Sequence, residues 1–225
     1  MNRRICSFTI LLFSMLSMYA QDDAGTWIST EMVTPIGRRW QAGAGGELRL
    51  KDNFASVDRW QLAVNANYKA SPYLKLGVTY EFHLKNRQLA DGEKEWVPRH
   101  RLMADATPQV KVCSCLKLSL RERYQYTYMM AKNGIASSDE HHLRSRLKVD
   151  INTHTAWNPY ASCEIFNRLD SKFHADEIRL AAGTMFALSS HYMFSFGYLL
   201  DVKDNGISLF GKRNHIIQAS FTYKL

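Results

Sequence analysis

The stretch Asn214 to Leu225, N-H-I-I-Q-A-S-F-T-Y-K-L, constrains the chain more than any other. Ile217, Ala219, Phe221, Tyr223 and Leu225 fall on one side of an extended backbone, and Gln218, Ser220, Thr222 and Lys224 fall on the other. A strand repeats every two residues, so this alternation makes one apolar and one polar face. Placed at the C-terminus behind an export signal, it predicts the closing strand of an outer-membrane β-barrel. Phe221, Tyr223 and Leu225 are then the assembly signal, read by the barrel-assembly machinery before they turn to lipid.

The same pattern recurs along the chain. Trp40, Ala42, Ala44, Gly46 and Leu48 alternate with polar or small residues, as do Trp60, Leu62, Val64, Ala66 and Tyr68. Leu74 to Leu84, Leu116 to Tyr128, Leu143 to Ile151, Ile178 to Phe186 and Tyr192 to Leu200 repeat it, while Trp96 to Thr107 is weaker and Tyr160 to Arg168 is ambiguous, with Glu164 favoured inward. Short turns (Ser71-Pro72, Ser189-Ser190) alternate with long polar loops (Asn86 to Glu95, Ala131 to Glu140), as short periplasmic turns and longer outer loops would. The five prolines are expected at strand ends or turns, where a missing N–H does no harm. The expectation is an all-β, antiparallel, up-and-down transmembrane barrel over residues 38–225 with ten strands, an even number. Residues 21–37 form a lead-in that lies in the lumen or packs at the seam; were it a strand, parity would ask for a twelfth. A secreted soluble barrel acting as a binding protein would show the same alternation with its apolar face turned inward. The long strands, near the ~9–11 residues of a tilted bilayer crossing, favour the membrane.

Residues 1–20 read as a signal peptide, with Arg3 and Arg4 ahead of the apolar run Ile5 to Met18 and cleavage after Ala20. No later run approaches the ~18 apolar residues of a helical span. Mean hydropathy is −0.31, which suits a barrel whose alternate residues face a polar interior. The formal charge of +8 falls to +6 when Arg3 and Arg4 leave. An exported chain with so mild a basic balance is not expected to bind nucleic acid. Cys113 and Cys115, two apart on one face of an extended stretch, have poor geometry for a mutual disulfide, and Cys163 is distant. No Cys/His spacing suggests a metal, and no Gly-rich phosphate loop or cofactor motif occurs.

These patterns resemble a known family: the outer-membrane β-barrels of diderm bacteria catalogued as a domain of unknown function. The resemblance rests on Trp27, Gly46-Glu47-Leu48-Arg49, Arg99-His100-Arg101-Leu102, Leu120 to Arg123, Leu143 to Leu147, Asn158-Pro159-Tyr160 with Glu164, and Arg179 with Gly183. It covers nearly the whole mature chain. It implies fold and location, and no activity.

The most specific chemistry is a belt of charges on the lumen face. Arg-x-Arg occurs on three successive strands as Arg99/Arg101, Arg121/Arg123 and Arg144/Arg146; Arg49, Arg59 and Arg179 fall at a similar height, as do Glu47, Glu81, Glu164 and Glu177. Nine arginines against four glutamates leave five positive charges in excess. The preferred reading is structural, arginine forks bridging carboxylates across a narrow or closed lumen. The alternative is an anion-selective porin. A lipid-modifying enzyme of the outer membrane would place Ser and His together on the lipid face; no His-x-Ser occurs, and the chain is read as no enzyme. Glu122 falls on the apolar face, where it marks either an interface or a protein contact.

Overall fold

A computed structural model describes residues 23–89, 92–170, 174–204 and 212–225. The signal peptide expected over residues 1–20 lies outside them. Eleven strands make one closed barrel: β1 (Asp23–Ile36), β2 (Trp40–Lys51), β3 (Ser56–Ser71), β4 (Leu74–Gln88), β5 (Lys94–Lys111), β6 (Leu116–Met129), β7 (Ser138–Ile151), β8 (Trp157–Arg168), β9 (His174–Ala187), β10 (Tyr192–Lys203) and β11 (Lys212–Lys224). Neighbours in sequence pair antiparallel throughout.

The expectation of ten strands, or twelve by parity, is corrected here. The lead-in is β1, and it closes the barrel by pairing parallel to β11, from Asp23 opposite Asn214 to Val33 opposite Lys224. One parallel pair is what an odd number of strands requires, so no twelfth is needed. The barrel therefore begins at Asp23, not at residue 38. Parallel pairing gives somewhat less per residue than antiparallel, and side chains and the terminus reinforce this seam: Thr26 Oγ1 donates to the Ile217 carbonyl at 2.9 Å and the Leu225 N–H to the Val33 carbonyl at 2.9 Å.

β1 escapes the alternation pattern because two apolar residues, Trp27 and Val33, point inward while Ile28, Met32 and Ile36 point outward, each about half exposed. Elsewhere the expected faces hold. Leu62, Val78, Leu102, Leu147, Leu180 and Phe196 are exposed on the outer wall, whereas Arg99, Gln125, Thr127, Arg144, Glu164 and Asp201 are buried inside. The exterior is thus apolar, and the interior is mostly polar, with Val97, Met103, Met129, Leu199 and Ile216 buried among its charged groups.

Connections 37–39, 72–73, 112–115, 152–156 and 188–191 lie at the end where β11 finishes; β2, β4, β6, β8 and β10 finish at the other, the loop end. Two prolines depart from expectation: Pro98 and Pro108 lie within the long β5. Pro108 falls where the β5–β6 pairing skips from Ala106 to Gln109, so its missing N–H interrupts no ladder there. Cys113 and Cys115 also depart: they occupy the turn between β5 and β6, where their Sγ atoms are 2.7 Å apart.

Candidate functional site: the arginine belt of the lumen

The belt assembles because adjacent strands are in step. Arg121 of β6 lies opposite Arg146 of β7, which lies opposite Glu164 of β8, then Arg179 of β9 and Asp201 of β10. One step towards the loop end, Arg123, Arg144, Phe166, Glu177 and Lys203 are partners in the same way. On the other arc Arg49 faces Arg59, and Glu81 faces Arg101.

Glu164 is the centre. Its Oε1 accepts from Arg121 Nη2 at 2.6 Å, and from Arg144 Nη2 at 2.9 Å and Nε at 3.1 Å, while the residue is only 6% exposed. Arg144 also donates to Gln125 at 2.8 Å. Arg101 donates to Glu81 at 2.9 Å, Arg123 to both oxygens of Asp105 at 2.5 and 3.1 Å, and Arg179 to Glu177 and to Asp201, the latter at 3.3 Å. Arg49 pairs with Glu47, and Arg59 with Asp58 at 3.0 Å.

The belt thus holds three carboxylates beyond the four glutamates expected: Asp58, Asp105 and Asp201. Nine arginines meet seven acids, and the excess falls from five to two. Two belt arginines, Arg99 and Arg146, have no carboxylate within 4 Å among the described residues, in agreement with that count. Arg99 donates instead to Met129 Sδ at 3.3 Å. Lys85, also facing inward, makes no ion pair within 4 Å among the described residues.

Bulges supply Asp58 and one further acid above the belt. Between the pairs Arg49–Arg59 and Leu50–Val57 one residue of β3 is extra, and it is Asp58. Between Phe166–Glu177 and Asn167–Ala175 one residue of β9 is extra, and it is Asp176, which accepts from His142 at 3.0 Å and Arg168 at 3.3 Å. A bulge re-aims a side chain; each of these turns a carboxylate onto a cation.

Aromatic rings separate the like charges. The Arg49 guanidinium lies 3.6 Å over the Trp27 ring, with Arg179 at 5.1 Å from the same ring. Phe166 sits between Arg144 at 4.2 Å and Arg179 at 4.4 Å. Neither aromatic was singled out for this from sequence, although each has the parity of an inward residue. His83, flanked in register by Gln61 and Arg99, is wholly buried, and neither ring nitrogen has a hydrogen-bond partner among the described residues. Near the loop end, a cavity of about 250 Å³ is lined by Arg49, Lys51, Arg59, Lys85, Arg179 and Lys203 against Asp23, Asp58 and Asp201.

Outside the wall, Glu122 accepts a hydrogen bond from Ser145 across the strand pair at 2.7 Å. Three hairpins carry the same diagonal pair on that face: Tyr80 with His100 Nδ1 at 2.7 Å, Tyr124 with His141 at 2.7 Å, and Tyr198 with His215 at 2.5 Å. Of the closing-strand residues, Phe221 and Leu225 are exposed, and Tyr223 stacks on Tyr192 with centroids 5.2 Å apart.

No curated protein matches the chain. Among solved structures, the β domain of the Bordetella autotransporter BrkA is similar, at 14% identity and a TM-score of 0.48 over 81% of this chain and 80% of that one. A family model matches residues 24–207, so the chain belongs to DUF2490, a family of proteins of unknown function.

Proposed function

We propose that the chain is an integral outer-membrane β-barrel whose lumen is closed by the arginine belt, a structural element of the membrane rather than an open pore. The observation that carries this is the inversion of the barrel wall. Leu62 (65% exposed), Val78 (57%), Leu102 (55%) and Leu147 (52%) face out, and arginines and carboxylates fill the inside. A monomer in water rarely exposes a contiguous apolar patch of more than a few hundred Å². Rings flank this band at both ends: Trp40 with Tyr68 and Tyr192 with Tyr223 near the short turns, the Tyr–His pairs towards the loops. Such girdles suit the two interfaces of a bilayer. In this orientation the short turns face the periplasm.

Fractionation tests the reading. The mature chain should stay with outer membranes through carbonate extraction and run faster on gels unheated than heated. Recovery as a monomer soluble without detergent overturns it and favours a secreted barrel. The closing strand adds a finer test, because lipid and the assembly machinery would both meet Phe221, Tyr223 and Leu225. The double change Phe221→Asp and Tyr223→Asp should abolish assembly, while the inward Thr222→Asp, close in volume to the residue it replaces, should be tolerated.

A second reading is favoured by the cavity near the loop end, where six cations meet three aspartates and Lys85 has no ion pair within 4 Å among the described residues. It would hold or select small anions. Planar-bilayer recording separates the two: a closed barrel gives no steady conductance, and a selective one gives small anion currents. Glu122 and its Ser145 partner mark the place on the outer wall where a protein neighbour would add least cost, since a charge there is expensive against lipid.

A further inference from the structure

The turn between β5 and β6 brings two thiols face to face. In a strand, residues two apart are separated by about 6.6 Å along the chain, too far for the Cβ atoms of a disulfide at about 3.5–4.5 Å. Here the chain leaves the strand. Val112 N–H donates to the Leu116 carbonyl at 2.9 Å, and Cys113 and Leu116 exchange longer bonds at 3.5 and 3.4 Å. That curl folds Cys113 and Cys115 around Ser114, so that both side chains converge while remaining exposed. Their Sγ–Sγ separation of 2.7 Å exceeds a disulfide bond of about 2.05 Å by a small side-chain movement. Cys113 lines a cavity of about 360 Å³ together with Lys111, Lys117, Lys148 and Asp150, which pairs with Lys148 at 2.6 Å and with Lys117 at 3.6 Å. Cys163 takes no part: it lies on β8 with Leu147 and Leu180 as its neighbours in register.

We propose that Cys113 and Cys115 form a redox pair at the short-turn end of the barrel, a dithiol that exchanges with disulfides and closes on itself across Ser114. Its exposure to an oxidising compartment rests on the membrane orientation above; the chemistry does not. The hydrogen bond from Cys115 holds the Cys113 thiol below its usual pKa and pushes Cys115 up, which makes Cys113 the attacking sulfur. The Cys113 thiolate attacks one sulfur of a partner disulfide, forming a mixed disulfide and releasing one partner thiolate. Cys115, losing its proton, then attacks Cys113 Sγ, closes the internal disulfide and releases the second partner thiolate. Two cysteine thiols are oxidised, one disulfide is reduced, and the two protons end on the partner's thiols.

Purified full-length protein in detergent tests this directly, with glutathione disulfide as the probe. After reduction and removal of reductant, the peptide carrying both cysteines should be alkylated at each; after incubation with glutathione disulfide it should lose both labels and the mass of two hydrogens. Cys115→Ser should stop the reaction at a stable glutathione adduct on Cys113, and Cys113→Ser should form its adduct more slowly. Cys163→Ser should change none of this. The idea is overturned if both thiols stay alkylatable after glutathione disulfide, or if each only carries its own glutathione without internal closure. Failure of membrane fractionation would leave this result standing, so the two readings fail separately.

Discussion

Towards the loop end the interior is filled by guanidinium groups and carboxylates. Towards the short turns, on the arc from β9 through β11 to β2, many inward positions are small: Gly183, Ser195, Gly197, Ser220, Gly43 and Gly45. The two halves fill a cylinder of one width by different means. In the upper half long side chains come from every wall and hold each other by charge. In the lower half a few side chains lie flat across strands whose own inward residue is missing. Tyr160 reaches over Gly183 and Gly197; a Cβ on either would stand 2.8 Å from its hydroxyl. Asn65 donates to Glu31 at 2.9 Å and Asn67 to Asn65 at 3.0 Å, and a Cβ on Gly43 would meet both Asn65 and Glu31. The upper half is therefore vulnerable to loss of a charge, and the lower half to gain of a methyl group.

The largest effect should come from the upper half. Glu164→Gln removes the carboxylate that Arg121 and Arg144 share, and breaking a buried pair from one side costs about 3–5 kcal/mol. Denaturant unfolding in detergent measures it. Removing Arg121 as well, as Arg121→Gln in the Glu164→Gln background, should recover part of that loss, because one fewer cation is then left unpaired. If the double variant is no better than the single, the belt is not held by pairing. Neutralisation that opens a steady conductance without lowering stability would instead favour the anion reading.

The lower half should respond to volume. Gly183→Ala sets a Cβ 2.6 Å from the Phe196 carbonyl and 2.7 Å from the Gly197 Cα, contacts with backbone that no rotamer relieves. Overpacking of this kind costs about 1–3 kcal/mol. Tyr160→Phe in the same chain should relieve little of it, since the closer contacts are to the neighbouring strand. Equal tolerance of alanine at Gly183 and at the outward-facing Gly46, whose Cβ would have 3.5 Å of clearance, would show that close packing does not limit the lower half.

How much of this was legible depended on periodicity. Inward and outward faces of most strands follow from period two, and so does the alignment of the three Arg-x-Arg pairs. Strand number did not follow, because parallel closure leaves no local signature and because inward Trp27 breaks the apolar-out pattern of β1. Its reason for being inside, a stack beneath Arg49, is a contact between two strands that alternation cannot see. Asp58 and Asp176 have the wrong parity until a bulge adds one residue, and bulges are set by the neighbouring strand. Asp201 was within reach: continuing the parity of Ser195 and Gly197 past Leu200 puts it inward. The convergence of Cys113 and Cys115 depends on where β5 ends, and sequence alternation blurs at that point.

The smallest effect should come from Arg146, and it is the sharpest test of how the belt works. Arg146 stands in register between Arg121 and Glu164, yet Glu164 is already shared by Arg121 and Arg144. Its Nε has no hydrogen-bond partner among the described residues. Replacing it removes a partly desolvated charge that repels Arg121, and it leaves no carboxylate unpaired. Arg146→Gln should therefore change unfolding by less than about 1 kcal/mol in either direction, against the loss expected on the Glu164 side of the same row. A loss as large as that of Glu164→Gln would mean that the row acts as one network in which every cation contributes equally. A gain in stability would mean that the excess charge is retained for something other than holding the barrel, and would turn attention to the anions it could meet.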